Sequence, residues 1–201
     1  MLILRHGTRA ELVVRKSRFL AEATPVASAE AARDLWRERK RIYAGCNHVV
    51  YAFICGPQGG VMSCSDDGEP SGTSGRPVLE VLKGSGITNV LLTVTRWFGG
   101  IKLGTGGLVR AYTESAQMAL ADPPTAELVP LTRFTLALSY LHYENVRRRF
   151  PEFAAEITGE EFAAAVTLSG VIPSANYAAF SDAVRDLTGG AVIPYKNSSD
   201  A

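Results

Sequence analysis

The stretch DPPTAELVPL, residues 122–131, sets three prolines between two long runs of patterned sequence. Proline has no backbone N–H and holds φ at about −65°, so such a segment neither continues a helix nor joins the middle of a sheet. A chain of 201 residues interrupted there is expected to build two small cores in place of one. The expected organisation is a domain over 1–122, a linker over 123–132, a second domain over 133–195 and a disordered tail, KNSSDA, over 196–201. With 46% hydrophobic residues, enough apolar side chains are present for both cores.

The second half has a legible order. In RFTLALSY, Phe134, Leu136, Leu138 and Tyr140 alternate on one face, as in a half-buried strand. Val146, Phe150 and Phe153 then recur at helical steps, with Pro151 expected to close that helix. AEITG and FAAAVTLSG read as strands joined by an acidic turn at Gly159, Glu160 and Glu161. PSANYAAFSDAVRDLTGG reads as a helix stopped by Gly189 and Gly190, and AVIPY as a last strand. The order βαββαβ is the ferredoxin-like pattern.

The first half is longer and less regular. AELVVRK and RFLAEATPV read as strands and Ser28–Arg41 as a helix. VVYAFIC and GVMSC read as a hairpin, and RPVLEVLKG as a helix with Pro77 in its first turn. NVLLTVT is apolar on both faces and is expected to be a central strand. A helix over Gly106–Ala121 follows, with Leu108, Tyr112, Ala116 and Leu120 on one face. The fold class is therefore α+β, in two domains, without a doubly wound repeat.

Charge divides unevenly between the halves. Residues 1–122 carry 15 Lys+Arg against 11 Asp+Glu, a net +4, and residues 123–201 carry 6 against 9, a net −3. Any contact with phosphate belongs to the first half. There the segment FGGIKLGTGGLVRAY, residues 98–112, carries glycines around Lys102 and then Arg110. Gly104, Thr105, Gly106 and Gly107 stand between a strand and a helix start, where free N–H groups and the helix dipole favour an anion. The string lacks the Gly-Lys-Ser/Thr ending of a nucleotide-hydrolysing loop, and the alternative is a turn that lets strand and helix pack closely.

A second unusual string is SDDGEPSGTSGRP, residues 65–77, which sets Asp66, Asp67 and Glu69 beside Ser71 and Arg76. Carboxylates in this density can hold Mg²⁺ or act as acid and base. They can equally bond neighbouring N–H groups in a turn and pair with Arg96 or Lys102. His48 is the histidine nearest to these motifs, and a hydrogen-bonded role at a strand start is expected for it. Cys46, Cys55 and Cys64 fit neither a disulfide framework nor a metal knuckle, and no metal or cofactor is expected. No serine stands in a nucleophile elbow. The apolar start ends at Arg5, too early for a signal-peptide core, and no run reaches membrane-spanning length, so a cytoplasmic location is expected.

Taken together, KSRF at 16–19, SDDGEPSGTSGRP and TRWFGGIKLGTGGLVRAY resemble the YigZ/IMPACT family of small translation-associated proteins, in order and separation over most of residues 10–122. The resemblance implies an N-terminal α/β sandwich similar to a domain of a small-subunit ribosomal protein. It also implies a ferredoxin-like C-terminal domain similar to the last domain of elongation factor G. Eukaryotic members look like regulators acting through a partner of the amino-acid-starvation kinase. The RWD-type domain those members add is not seen in this sequence, so that role is not carried over. Two readings stay open. In the first, a non-enzymatic protein binds RNA or the ribosome through Arg96, Lys102, Gly104, Gly106, Gly107 and Arg110, and the acidic C-terminal domain meets a protein partner. In the second, a hydrolase or phosphotransfer enzyme uses Asp66, Asp67 and Glu69 on a substrate held at the glycine loop.

Overall fold

A computed structural model describes residues 1–197. They fall into two compact units, Met1–Leu128 and the residues from Val129 onward. The first unit runs β1 (Leu2–Leu4), β2 (Thr8–Val14), β3 (Ser17–Pro25), α1 (Ala29–Ile42), β4 (His48–Cys55), β5 (Val61–Ser65), α2 (Gly75–Gly84), β6 (Val90–Trp97), α3 (Gly104–Ala119) and β7 (Thr125–Glu127). Its main sheet is antiparallel with strand order β2-β3-β6-β4-β5.

β6 is central and covered on both faces, which is why apolar residues from Val90 to Val94 point to both sides of the sheet. Val90, Leu92 and Val94 join Phe19, Val50, Leu82 and Tyr112 in the core under α2 and α3, while Leu91 meets Phe53 and Ala32 of α1 on the opposite face. α1 starts at Ser28, whose hydroxyl accepts from Ala31 N at 3.1 Å. Across its inner face Trp36 Nε1 donates to the carbonyl of Val49 at 2.7 Å, and Arg39 forms a half-buried ion pair with Glu22. α2 and α3 begin at Gly75 and Gly104, each a little earlier than the periodicity indicates.

The proline-rich stretch is more ordered than a linker. Residues 125–127 form β7, which pairs antiparallel with β1, and residues 131–132 already belong to the next strand. Pro123 and Pro124 stay outside that ladder because they lack a donor, and Pro124 instead accepts Arg5 N at 2.8 Å. β1 was not legible because three residues show no period.

The second unit runs β8 (Leu131–Leu138), α4 (Tyr140–Arg147), a 3₁₀ turn (Phe150–Phe153), β9 (Glu156–Phe162), β10 (Val166–Pro173), a 3₁₀ turn (Ser174–Asn176), α5 (Tyr177–Leu187) and β11 (Tyr195–Lys196). The antiparallel sheet has the order β11-β8-β10-β9, the split βαβ arrangement. Phe134, Leu136, Leu138, Val166 and Leu168 meet Val146, Phe150, Phe180 and Val184 in its core. Three local expectations change. Tyr140 opens α4 and is exposed, ending the alternation at Leu138. Pro151 lies inside the 3₁₀ turn, near its start, where its missing N–H costs little. Gly159, Glu160 and Glu161 lie within β9, paired with Ser169, Leu168 and Thr167, and the reversal falls at Ala163–Ala165. β9 is an edge strand, where charged side chains are well accommodated. In the expected tail, Lys196 pairs with β8 and Asn197 bonds Arg133 O and Thr135 Oγ1, while residues 198–201 lie outside the described residues.

Candidate functional site

The acidic loop between β5 and α2 divides its three carboxylates among three tasks. Asp66 caps α2 from outside the helix: its oxygens accept Gly72 N at 2.8 Å, Ser74 N at 3.1 Å, Ser74 Oγ at 2.7 Å and Gly75 N at 2.8 Å. Burial pushes this carboxyl up, but those donors outweigh it and hold Asp66 below the ordinary carboxylate value. Asp67 joins two elements, since Oδ1 meets Lys40 Nζ of α1 at 2.6 Å and Oδ2 accepts Val49 N of β4 at 2.7 Å. Its carbonyl receives His48 Nδ1–H at 2.8 Å, which turns the other ring nitrogen toward Glu69.

Glu69 is the buried member. Its Oε1 receives Arg96 Nη1 at 2.7 Å and the Tyr112 hydroxyl at 2.7 Å, with His48 Nε2 at 3.9 Å. Burial raises the Tyr112 phenol far above its ordinary value, and the adjacent Glu69 charge adds to the rise. Sheet register brings this about: β6 lies between β3 and β4, and Arg96 is the direct partner of His48 on one side and Phe19 on the other. Ser71 and Arg76 are exposed and take no part in the cluster.

The glycine string follows β6 directly. Asn47 Oδ1 accepts Phe98 N at 2.7 Å, and Ser17 Oγ accepts Gly99 N at 3.1 Å. A Cβ on Gly99 would lie 2.0 Å from the Lys16 carbonyl carbon, so here the strings KSRF and FGG cross at backbone contact and only glycine fits. Gly106 differs. Its Cβ would meet nothing within 4 Å, so the packing of this chain does not call for a glycine there. Gly104, Thr105 and Gly106 are exposed, and the first turn of α3 has no side-chain cap. Gly107 is half-buried against Leu103.

These parts surround one cavity of about 490 Å³, lined by Asn47, His48, Glu69, Arg96, Phe98, Lys102 and the start of α3. Lys102 is exposed at this cavity, whereas Arg110 lies further along α3, exposed but outside its lining. Arg96 is only 6% exposed, so it supplies a guanidinium in the cavity wall and not a surface charge. Among the described residues its Nε has no hydrogen-bond partner, and that atom is shut off from the cavity. Asp66 and Asp67 are committed elsewhere. Among the described residues no group of three or more His, Cys, Asp or Glu is placed to hold a metal, and no helix is long and apolar enough to cross a membrane. Sequence reading did not place Asn47, Phe98 or Tyr112 at the site. Tyr112 reads as a core residue on an apolar helix face, and only its hydroxyl hints at a buried partner.

The Impact N-terminal domain matches residues 15–120, and a domain of unknown function, DUF1949, matches residues 136–191. The chain is 33% identical to the IMPACT family member YigZ of Escherichia coli, with 89% of each chain covered. It is 34% identical to an IMPACT family member of Haemophilus influenzae, over 96% of this chain and 94% of that one. A crystal structure of a hypothetical protein superposes with a TM-score of 0.77 at 30% identity, covering 99% of this chain and 98% of the other. The chain belongs to the IMPACT family.

Proposed function

We propose that this IMPACT-family protein is a translation-associated binding protein that holds RNA phosphates, on free RNA or on the ribosome, at the glycine-rich start of α3. The observation that carries the reading is the uncapped first turn of α3, exposed at Gly104, Thr105 and Gly106 with Lys102 beside it. Free N–H groups at the positive end of a helix dipole suit a phosphate, and Gly106 leaves open the space through which a backbone oxygen can approach. Lys102 and Arg110 add exposed charge on the more basic half. In this reading the acidic C-terminal unit is left for a protein partner, and the protein works in the cytoplasm.

The test is the double variant Lys102→Glu/Arg110→Glu. It is expected to weaken binding to RNA or ribosomes across sequences and to flatten the salt dependence by roughly one unit for each phosphate no longer neutralised. Unchanged binding at several salt concentrations would remove the surface from consideration.

A second reading is favoured by one observation, the meeting of Glu69, His48 and Arg96 at one cavity. In it the protein is an enzyme acting on a phosphorylated substrate, with Glu69 as the reacting carboxylate. Turnover of such a substrate, abolished in Glu69→Gln while RNA affinity persists, would move the assignment to this reading.

A further inference from the structure

The register of the main sheet brings two basic strings to one end of the first unit. Val14 pairs with Ser17 across the β2–β3 turn, and Arg18 pairs with Trp97, so that turn and the end of β6 lie at the same end of the sheet. Gly99 meets the Lys16 backbone there and joins the turn to the loop that carries Lys102. Glu11 pairs loosely with Arg18 at 3.7 Å, and Glu69 is buried against Arg96. Arg15, Lys16 and Lys102 are exposed and have no carboxylate partner among the described residues.

The turn is costly for the residues it holds. Arg15 and Lys16 occupy its two central positions with φ of 46° and 65°. Asparagine followed by glycine takes such a turn most readily, whereas a side chain with a long stem is disfavoured at positive φ. Two cations kept in that conformation at an exposed tip point to a partner outside the chain. Two aromatic rings stand between these charges. Phe98 is 44% exposed, and the Arg18 guanidinium lies 3.8 Å over the half-buried Trp97 ring. Exposed rings and stacked guanidinium planes accept unpaired bases, which a duplex keeps within its own stack.

We infer that this end of the sheet is a track for single-stranded RNA, with phosphates on Arg15, Lys16 and Lys102 and bases on Phe98 and the Arg18–Trp97 stack. This rests on the RNA reading above and narrows it to unpaired nucleotides, held by residues outside the first turn of α3.

Binding is measured for one short RNA, alone and annealed to its complement as a blunt duplex. The single strand is expected to bind about tenfold tighter than the duplex. Arg15→Asn/Lys16→Gly is expected to raise the thermal unfolding temperature, because the new pair suits the turn. The same variant should weaken single-strand binding and flatten its log–log salt slope by about 1.4, roughly 0.7 for each phosphate released. Binding lost through misfolding would not accompany a gain in stability. Phe98→Ala is expected to reduce the preference for the single strand roughly fivefold. Equal binding of strand and duplex, or unchanged binding in Arg15→Asn/Lys16→Gly, overturns the inference. The RNA reading still stands in those cases if Lys102→Glu/Arg110→Glu weakens binding. Failure of both RNAs to bind the parent protein overturns both.

Discussion

Arg96 and Glu69 form an ion pair at 2.7 Å in which both side chains are more than nine-tenths buried. Residues 27 positions apart are thus tied through β6 and the acidic loop, and Tyr112 of α3 joins them by its hydroxyl. Removing one partner of such a pair strands a charge. Arg96→Met is expected to cost about 3 to 5 kcal/mol in urea unfolding. Glu69→Met/Arg96→Met together should cost much less than that single change. A double variant as unstable as Arg96→Met would show that the charge is not the cause.

Asp67 links α1, β4 and the loop without facing the cavity. Asp67→Asn is expected to lower stability by about 0.5 to 3 kcal/mol, the usual range for disrupting one member of a polar network. It should leave no change in Mg²⁺ or Zn²⁺ binding by calorimetry. A stoichiometric metal site that disappears in the variant would contradict the structural role.

The Asp66 cap predicts a pH dependence. Folding lowers this carboxyl, so its contribution is complete above the ordinary value of 3.8 and fades as pH falls through the lower folded value. Asp66→Ala is expected to cost about 0.5 to 2 kcal/mol at neutral pH. The difference from the parent should shrink as the solution is acidified below 3.8. A deficit that stays constant across that window would mean that the charge on Asp66 is not what caps α2.

The two glycines that differ in surroundings should respond oppositely. Gly106→Ala is expected to be neutral or to stabilise by up to about 1 kcal/mol, because alanine favours a helix and the added methyl meets nothing. The same change should weaken RNA binding if a phosphate approaches there. Gly99→Ala should destabilise strongly, since its Cβ would overlap the backbone at Lys16. Thermal unfolding and RNA titration of both variants decide the matter.

The units on either side of Leu128 are proposed to fold independently. Limited digestion with a non-specific protease is expected to cut near residues 128–130, between β7 and β8, and to leave two resistant fragments. First cleavage within 98–112 would contradict this.

Much of the framework was legible because it is written in near neighbours. NVLLTVT declares a strand buried on both faces, and Phe134, Leu136 and Leu138 declare one buried on one face. Both follow from the two-residue period of a strand, which needs no knowledge of the partner. The pattern fails where that local signal is weak, as in the short β1 and β7, or where Gly159 imitates a turn within β9.

The sequence alone determined the two patterned halves, the glycine-rich helix start and the presence of a dense acidic string, because spacing and composition carry those directly. It could not determine which carboxylate faces the cavity. Asp66, Asp67 and Glu69 are near-equivalents in the string, and their different surroundings come from Gly75, Val49 and Arg96, which lie on three separate elements. Only the insertion of β6 between β3 and β4 sets Arg96 beside His48 and under Tyr112. That choice depends on burying β6 on both faces at the centre of the sheet, a condition satisfied by the whole unit and by no segment of it.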